Sequence, residues 1–229
     1  MIINLETLEG LPIYFIQKLT KFDDLLLKFD FLEEIEDLKT VEELIIEFQE
    51  FLNNQIIIGY HYTRALENNI LKEGLLSRNG EEIRSKFIKD FSHEFTEGEI
   101  SLIKELWRNC FDDSDKEVRD NRIYFNFTKN ALKNSGARLL LNNYGGEQVY
   151  WPLYNVNEIS SKLKSLGTPM ILECKLEAKK INTFSINPWA KIAISSYHKK
   201  INPNAHTEDR DAYINDSVTP KNIKIISLH

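Results

Sequence analysis

Residues 56–76 read IIIGYHYTRALENNILKEGLL, and this run limits the fold more than any other part of the chain. Three successive isoleucines and Tyr60 predict a short buried strand over 55–60, because β-branched and aromatic side chains suit an enclosed, pleated surface. A helix over about 65–73 follows and stops at Gly74, the residue type that leaves a helix without a Cβ penalty. The strand therefore ends in His61-Tyr62-Thr63, delivering polar groups where a buried element stops, a common setting for ligand contacts. A single buried strand needs partners, so the remaining segments must supply a sheet.

They read as follows. Phe15, Leu19, Phe22, Leu26 and Phe29 recur at three- and four-residue steps, predicting one or two helices between Leu11 and Leu32. Thr40 with Glu43 three residues on predicts a capping box that starts a helix over 41–53. Residues 1–54 thus form an acidic helical segment, and 55–229 form the main domain. Helices are expected over 81–92, 97–111, 129–142 and 158–166, with 112–121 (DDSDKEVRDN) as an exposed loop. RIYFNFT (122–128) predicts a strand with Ile123, Phe125 and Phe127 on one face and Tyr124 and Asn126 on the other. YGGEQVYWPLY predicts a Gly-Gly turn feeding a strand. Further strands are expected at 169–175 and, near the end, in DAYINDSV and NIKIISL. Short strands separated by helices and closing on a late strand pair give an α+β fold, not a doubly wound one.

Composition narrows the function. Residues 1–50 carry 13 acidic and 4 basic side chains, and the remainder carries 22 acids and 25 bases, so neither half has the basicity of a nucleic-acid-binding domain. No apolar run approaches the ~18 residues of a membrane span, and MIINLETLEG has no signal-peptide pattern. Cys110 and Cys174 form neither a disulfide framework nor a zinc spacing, so both are expected reduced, in a cytoplasmic protein. His61, His93, His198, His206 and His229 make no H-E-x-x-H pair, and no metal site is expected. Phosphate-loop and G-x-S-x-G motifs are missing too.

The residues that remain resemble the ADP-ribosyltransferase superfamily, in its branch with a His-Tyr-Glu triad. His61-Tyr62-Thr63 is similar to the H-x-[ST] that ends that family's first core strand, and Ile70 to Leu75 is similar to its I-x-x-x-G-[LI] helix end. Arg122 to Thr128, with Ala131 beyond, resembles the second strand, Φ-Y-[FL]-[ST], and its helix. The stretch 211–223 (DAYINDSVTPKNI) resembles the late strand E-x-Φ-Φ and the turn after it. The three matches fall in the family's order and cover roughly residues 55–228.

The resemblance implies an ADP-ribosyltransferase-like split mixed or antiparallel sheet with helices, preceded here by the helical segment. It also implies NAD as substrate, with His61 and neighbouring Tyr62 and Thr63 at its adenosine ribose. Tyr124 would face the nicotinamide ring, and an acid would stabilise the oxocarbenium-like transition state. The family's glutamate position holds Asp211, one methylene shorter, with Glu208 upstream as a substitute. From the residues alone, Glu147 after its glycine pair is an equal candidate for the catalytic acid. Arg64 is a candidate for the pyrophosphate and Asn126 for the nicotinamide carboxamide. His198, Lys199 and Lys200 form a basic stretch that could touch an anionic acceptor. The expected function is an NAD-dependent ADP-ribosyltransferase, a bacterial toxin or antiviral defence enzyme acting on an intracellular protein or nucleic-acid target, with an antitoxin or immunity protein as a further partner. The alternatives are a catalytically inactive NAD- or nucleotide-sensing or protein-binding module of the same fold, or an RNA 2′-phosphotransferase-like enzyme.

Overall fold

The computed structural model describes residues 1–133 and 135–227, so His229 and residue 134 of the expected 129–142 helix lie outside the described residues. The fold is α+β. Its strands are β1 (Ile2–Ile3), β2 (Ile56–Ala65), β3 (Ile123–Phe125), β4 (Thr168–Glu177), β5 (Asn182–Thr183), β6 (Ala212–Ile214) and β7 (Ile223–Ser227). Its α-helices are α1 (Ile13–Leu19), α2 (Asp23–Leu26), α3 (Lys39–Leu52), α4 (Glu67–Glu73), α5 (Gly80–Phe91) and α6 (Glu97–Cys110). They continue with α7 (Asp113–Arg119), α8 (Ser135–Asn142), α9 (Glu147–Tyr150), α10 (Asn157–Ser165) and α11 (Pro188–Ile201). The strands order as β1-β2-β4-β7 in one sheet and β3-β6-β5 in another. Among the described residues no helix is long and apolar enough to cross a membrane.

Contacts divide the chain into two compact units that are discontinuous in sequence. The first comprises Met1–Tyr60, Tyr124–Ala131 and Glu173–Tyr213, so residues 1–54 fold together with two later segments. Here β1 runs parallel to β2, with Ile2 opposite Ile56 and Ile3 opposite Ile57. The core is made by α3, which buries Val41, Leu44, Ile45, Phe48 and Leu52, packed against α11. Phe15 meets Phe48 edge to face at 4.4 Å, and Phe127 meets Trp189 at 4.6 Å. The start of α11 has Pro188 in its first turn and no side-chain cap of its own. Its exposed backbone donor problem is solved from α3, where the buried Gln49 Oε1 accepts the Ala190 N–H at 3.1 Å.

The second unit comprises His61–Ile123, Leu132–Leu172 and the residues from Ile214 on. Phe87, Phe91, Phe95, Ile103, Trp107, Val149, Tyr150 and Ile159 are among the members of its apolar cluster. Trp107 closes on Phe87 edge to face at 5.7 Å, and its indole N–H donates to the Val149 carbonyl at 3.0 Å, so the large ring is buried with its one donor satisfied. Capping boxes start α5, through Asn79 and Glu82, and α6, through Thr96 and Glu99.

Several local expectations are corrected. Thr40 does not cap α3, which begins at Lys39 after an extended Leu38 with no side-chain cap. The segment 112–121 is not a loop: Asp112 accepts the Asp115 N–H and starts α7. The residues after Gly145-Gly146 form the single turn α9 and a 3-10 turn (Trp151–Leu153), not a strand. The basic stretch 198–200 stands at the end of α11, a helix the sequence did not announce. Finally, β2 does not end before His61; it continues through the whole His-Tyr-Thr motif to Ala65.

Candidate functional site

Strands β3 and β6 are neighbours in their sheet. Along β3 burial alternates: Ile123 and Phe125 are 5% and 2% exposed, whereas Tyr124 is 37% exposed. Its ring lies 5.4 Å from that of Tyr213 on β6, tilted by 45°. One residue past β3, Asn126 exchanges both backbone hydrogen bonds with Tyr60 of β2, at 3.0 and 2.7 Å. That pairing fixes the Asn126 backbone, and its side-chain Nδ2 donates to Asp211 Oδ1 at 2.6 Å, a short contact of the charge-assisted kind. Asp211 is exposed at the entry of β6. Three of the residues singled out in the sequence, Tyr124, Asn126 and Asp211, thus stand together in one unit.

Two acids just upstream behave differently. Glu208 is 3% exposed; one carboxylate oxygen accepts from Arg210 at 3.0 Å, and its backbone N–H donates to Ser195 Oγ. Burial pushes its carboxyl above the usual range, and its contacts are with the interior of the unit. Asp209 was not singled out in the sequence. Its carboxylate accepts from the Phe127 N–H at 2.9 Å, from Thr128 Oγ1 at 2.8 Å and from the Arg210 N–H at 3.0 Å. Burial outweighs these three donors and pushes its carboxyl up to about 6. The D-x-D spacing of 209 and 211, which on an extended segment puts both on one side, was the available signal.

In the second unit, His61 is half-buried, Tyr62 is buried at 3% exposure, and Thr63 and Arg64 are half-buried. Tyr62 is therefore a core residue and offers no ring face to a ligand. Arg64 donates from Nε to the Leu166 carbonyl at 2.7 Å, and burial lowers its pKa. Thr63 and Arg64 line an open cleft of about 200 Å³ together with Asn69, Arg78, Lys86 and Tyr144. Two of the cleft's cations are committed, Arg78 to Glu73 at 3.3 Å and Lys86 to Asp90 at 2.9 Å.

Glu147 is exposed at the start of α9 and faces the Arg119 Nε at 3.4 Å. The glycines before it hold positive φ angles of 86° and 69°, and a Cβ on Gly145 would meet Val149 at 2.6 Å. The pair is thus explained by a tight turn packed on its own helix. His198 is fully buried and donates from Nε2 to the carbonyls of Leu26 at 2.7 Å and Phe29 at 2.9 Å. Lys199 and Lys200 donate to the carbonyls of Pro203 and Thr7. Trp189 is core, while Trp151 is 51% exposed.

Among the described residues no group of three or more His, Cys, Asp or Glu side chains is arranged to hold a metal ion. No protein-family model, curated protein or solved structure matches the chain.

Proposed function

We propose that the chain is an NAD-dependent ADP-ribosyltransferase with an ADP-ribosyltransferase-like fold, and that Asp211 is its acid. One observation carries this reading: the two later family-like motifs are neighbouring strands, and Asn126 donates to Asp211 beside the exposed ring of Tyr124. The donor set suits the nicotinamide end of NAD. Tyr124 and Tyr213 offer aromatic faces to a flat cationic ring, and the Asp211 oxygen not engaged by Asn126 can accept a ribose hydroxyl. When the C1′–N bond breaks, the electron pair leaves with nicotinamide and positive charge develops on the ribose. A carboxylate already fixed by Asn126 meets that charge without reorganising. The acceptor nucleophile then bonds C1′ and gives up its proton.

Nicotinamide release from NAD by the purified protein tests the reading. Asp211→Asn is expected to lower the rate by about 10²–10³-fold, whereas Glu147→Gln, an exposed helix residue paired with Arg119, should stay near wild type. The reverse ranking would move the chemistry to Glu147. A second reading, a binding module without turnover, draws on the shorter Asp211 side chain and its existing bond to Asn126. A melting temperature raised by NAD without nicotinamide release would favour it.

A further inference from the structure

We propose that Asp209 is a positioning residue that holds Asn126 against Asp211. Asp209 and Asp211 sit two residues apart on the segment entering β6, and Asn126, Phe127 and Thr128 follow β3 in succession. One oxygen of Asp209 takes the Phe127 N–H at 2.9 Å and the Arg210 N–H at 3.0 Å, and the other takes the Thr128 hydroxyl at 2.8 Å. A single carboxylate therefore clamps the residues after Asn126 to the residue before Asp211. On its other side Asn126 is held by the backbone pair with Tyr60. Between these two anchors its side chain reaches Asp211 Oδ1, 2.6 Å away.

The clamp is costly to keep. Asp209 carries its charge in a poorly solvated place, where a neutral amide of the same shape would be easier to bury. Neither oxygen of Asp209 bonds Asn126 or Asp211, so its effect on the pair is exerted through the backbone after Asn126. Asparagine at 209 keeps one acceptor oxygen and gains a donor, so it can hold the Phe127 N–H or rotate toward Thr128, but it cannot accept from both sides as the carboxylate does.

The test compares wild type, Asp209→Asn, Asp209→Ala and Thr128→Val. The Asn126 side-chain amide is observed by proton–nitrogen correlation spectroscopy, and nicotinamide release is measured alongside. In wild type the Asn126 amide proton should be displaced from the position of a free asparagine by its carboxylate partner. The displacement should shrink in Thr128→Val and Asp209→Asn and vanish in Asp209→Ala. The kcat should fall by about 10–100-fold in Asp209→Ala, as expected for a misplaced reacting group, with KM for NAD little changed and partial recovery in Asp209→Asn. An Asn126 signal unmoved in both the Asn and Ala variants overturns the proposal, and so does a released Asn126 with unchanged kcat. If Asp209→Ala does not fold, Asp209→Asn and Thr128→Val give the same readout. The kinetic part rests on Asp211 being the acid, and the spectroscopic part does not. Displacements in the expected order with no nicotinamide release by wild type would therefore support the clamp while removing the transferase reading.

Discussion

Gly74, which closes α4, has φ 76° and ψ −155°, a backbone region essentially reserved for glycine. A Cβ built there would lie 2.0 Å from the Val218 carbonyl oxygen and 3.1 Å from Pro220 Cδ. Val218 cannot withdraw without loss, because it exchanges two backbone hydrogen bonds with Leu75, at 3.0 and 2.8 Å. Gly74→Ala therefore combines ~1–3 kcal/mol of backbone strain with roughly 1 kcal/mol for each of the two bonds. The expected loss is about 3–5 kcal/mol, a large part of the ~5–15 kcal/mol that stabilises a typical domain. Urea denaturation measures it, and amide exchange at Leu75 and Val218 locates it. Gly98→Ala is the control: it lies in the first turn of α6, a Cβ there meets nothing within 4 Å, and it should be neutral or stabilising. A Gly74→Ala variant within 1 kcal/mol of wild type, or unchanged exchange at Leu75 and Val218, would refute the reasoning.

Asp209 gives a pH prediction as well. Its carboxyl rises from 3.8 to about 6 on folding, so the native state holds its proton more tightly than the unfolded chain, and that stabilisation is present below pH ~4 and lost as pH rises through 6. Wild type should lose up to ~3 kcal/mol relative to Asp209→Asn between pH 4 and 7, and parallel urea midpoints across that range would exclude it. For His198→Leu we expect a loss of about 1–3 kcal/mol, because the buried Leu26 carbonyl loses its donor while the Phe29 carbonyl keeps that of Asn202; a thermal melt within a degree of wild type would contradict that role.

Some of this was legible in the sequence and some was not, for identifiable reasons. The β-branched run at 56–58 announced β2, and the alternation of Ile123, Phe125 and Phe127 gave the buried face of its segment, with exposures of 5%, 2% and 0%. The start of β2 was readable but its end was not, because His61 to Ala65 carries no apolar alternation and is held by pairing across the sheet. Helix α11 escaped notice because PWAKIAISSYHKK is buried nearly all the way round, leaving no stripe of period 3.6. In α7 the reverse holds: a helix with no buried residue is started by the Asp112 cap, and charge density masks it. The order of the three motifs brought Tyr124, Asn126 and Asp211 into view. Asp209 stayed hidden because its partners, a backbone N–H and a hydroxyl, are 82 and 81 residues away.

The Gln49–Ala190 hydrogen bond has a further consequence for the helix pair α3 and α11. Apolar faces alone tolerate sliding, since a shift of one turn, about 5.4 Å, returns a similar face to the same neighbour. Gln49 removes that freedom: its oxygen meets the Ala190 N–H, while its nitrogen is already given to Asn53 at 2.7 Å. Moved by one turn in either direction, the same amide would leave the Ala190 N–H without this acceptor. A residue near the end of α3 thus sets the register of a helix that begins 139 residues later in the chain, and the segment 1–54 acts as the ruler against which α11 is aligned.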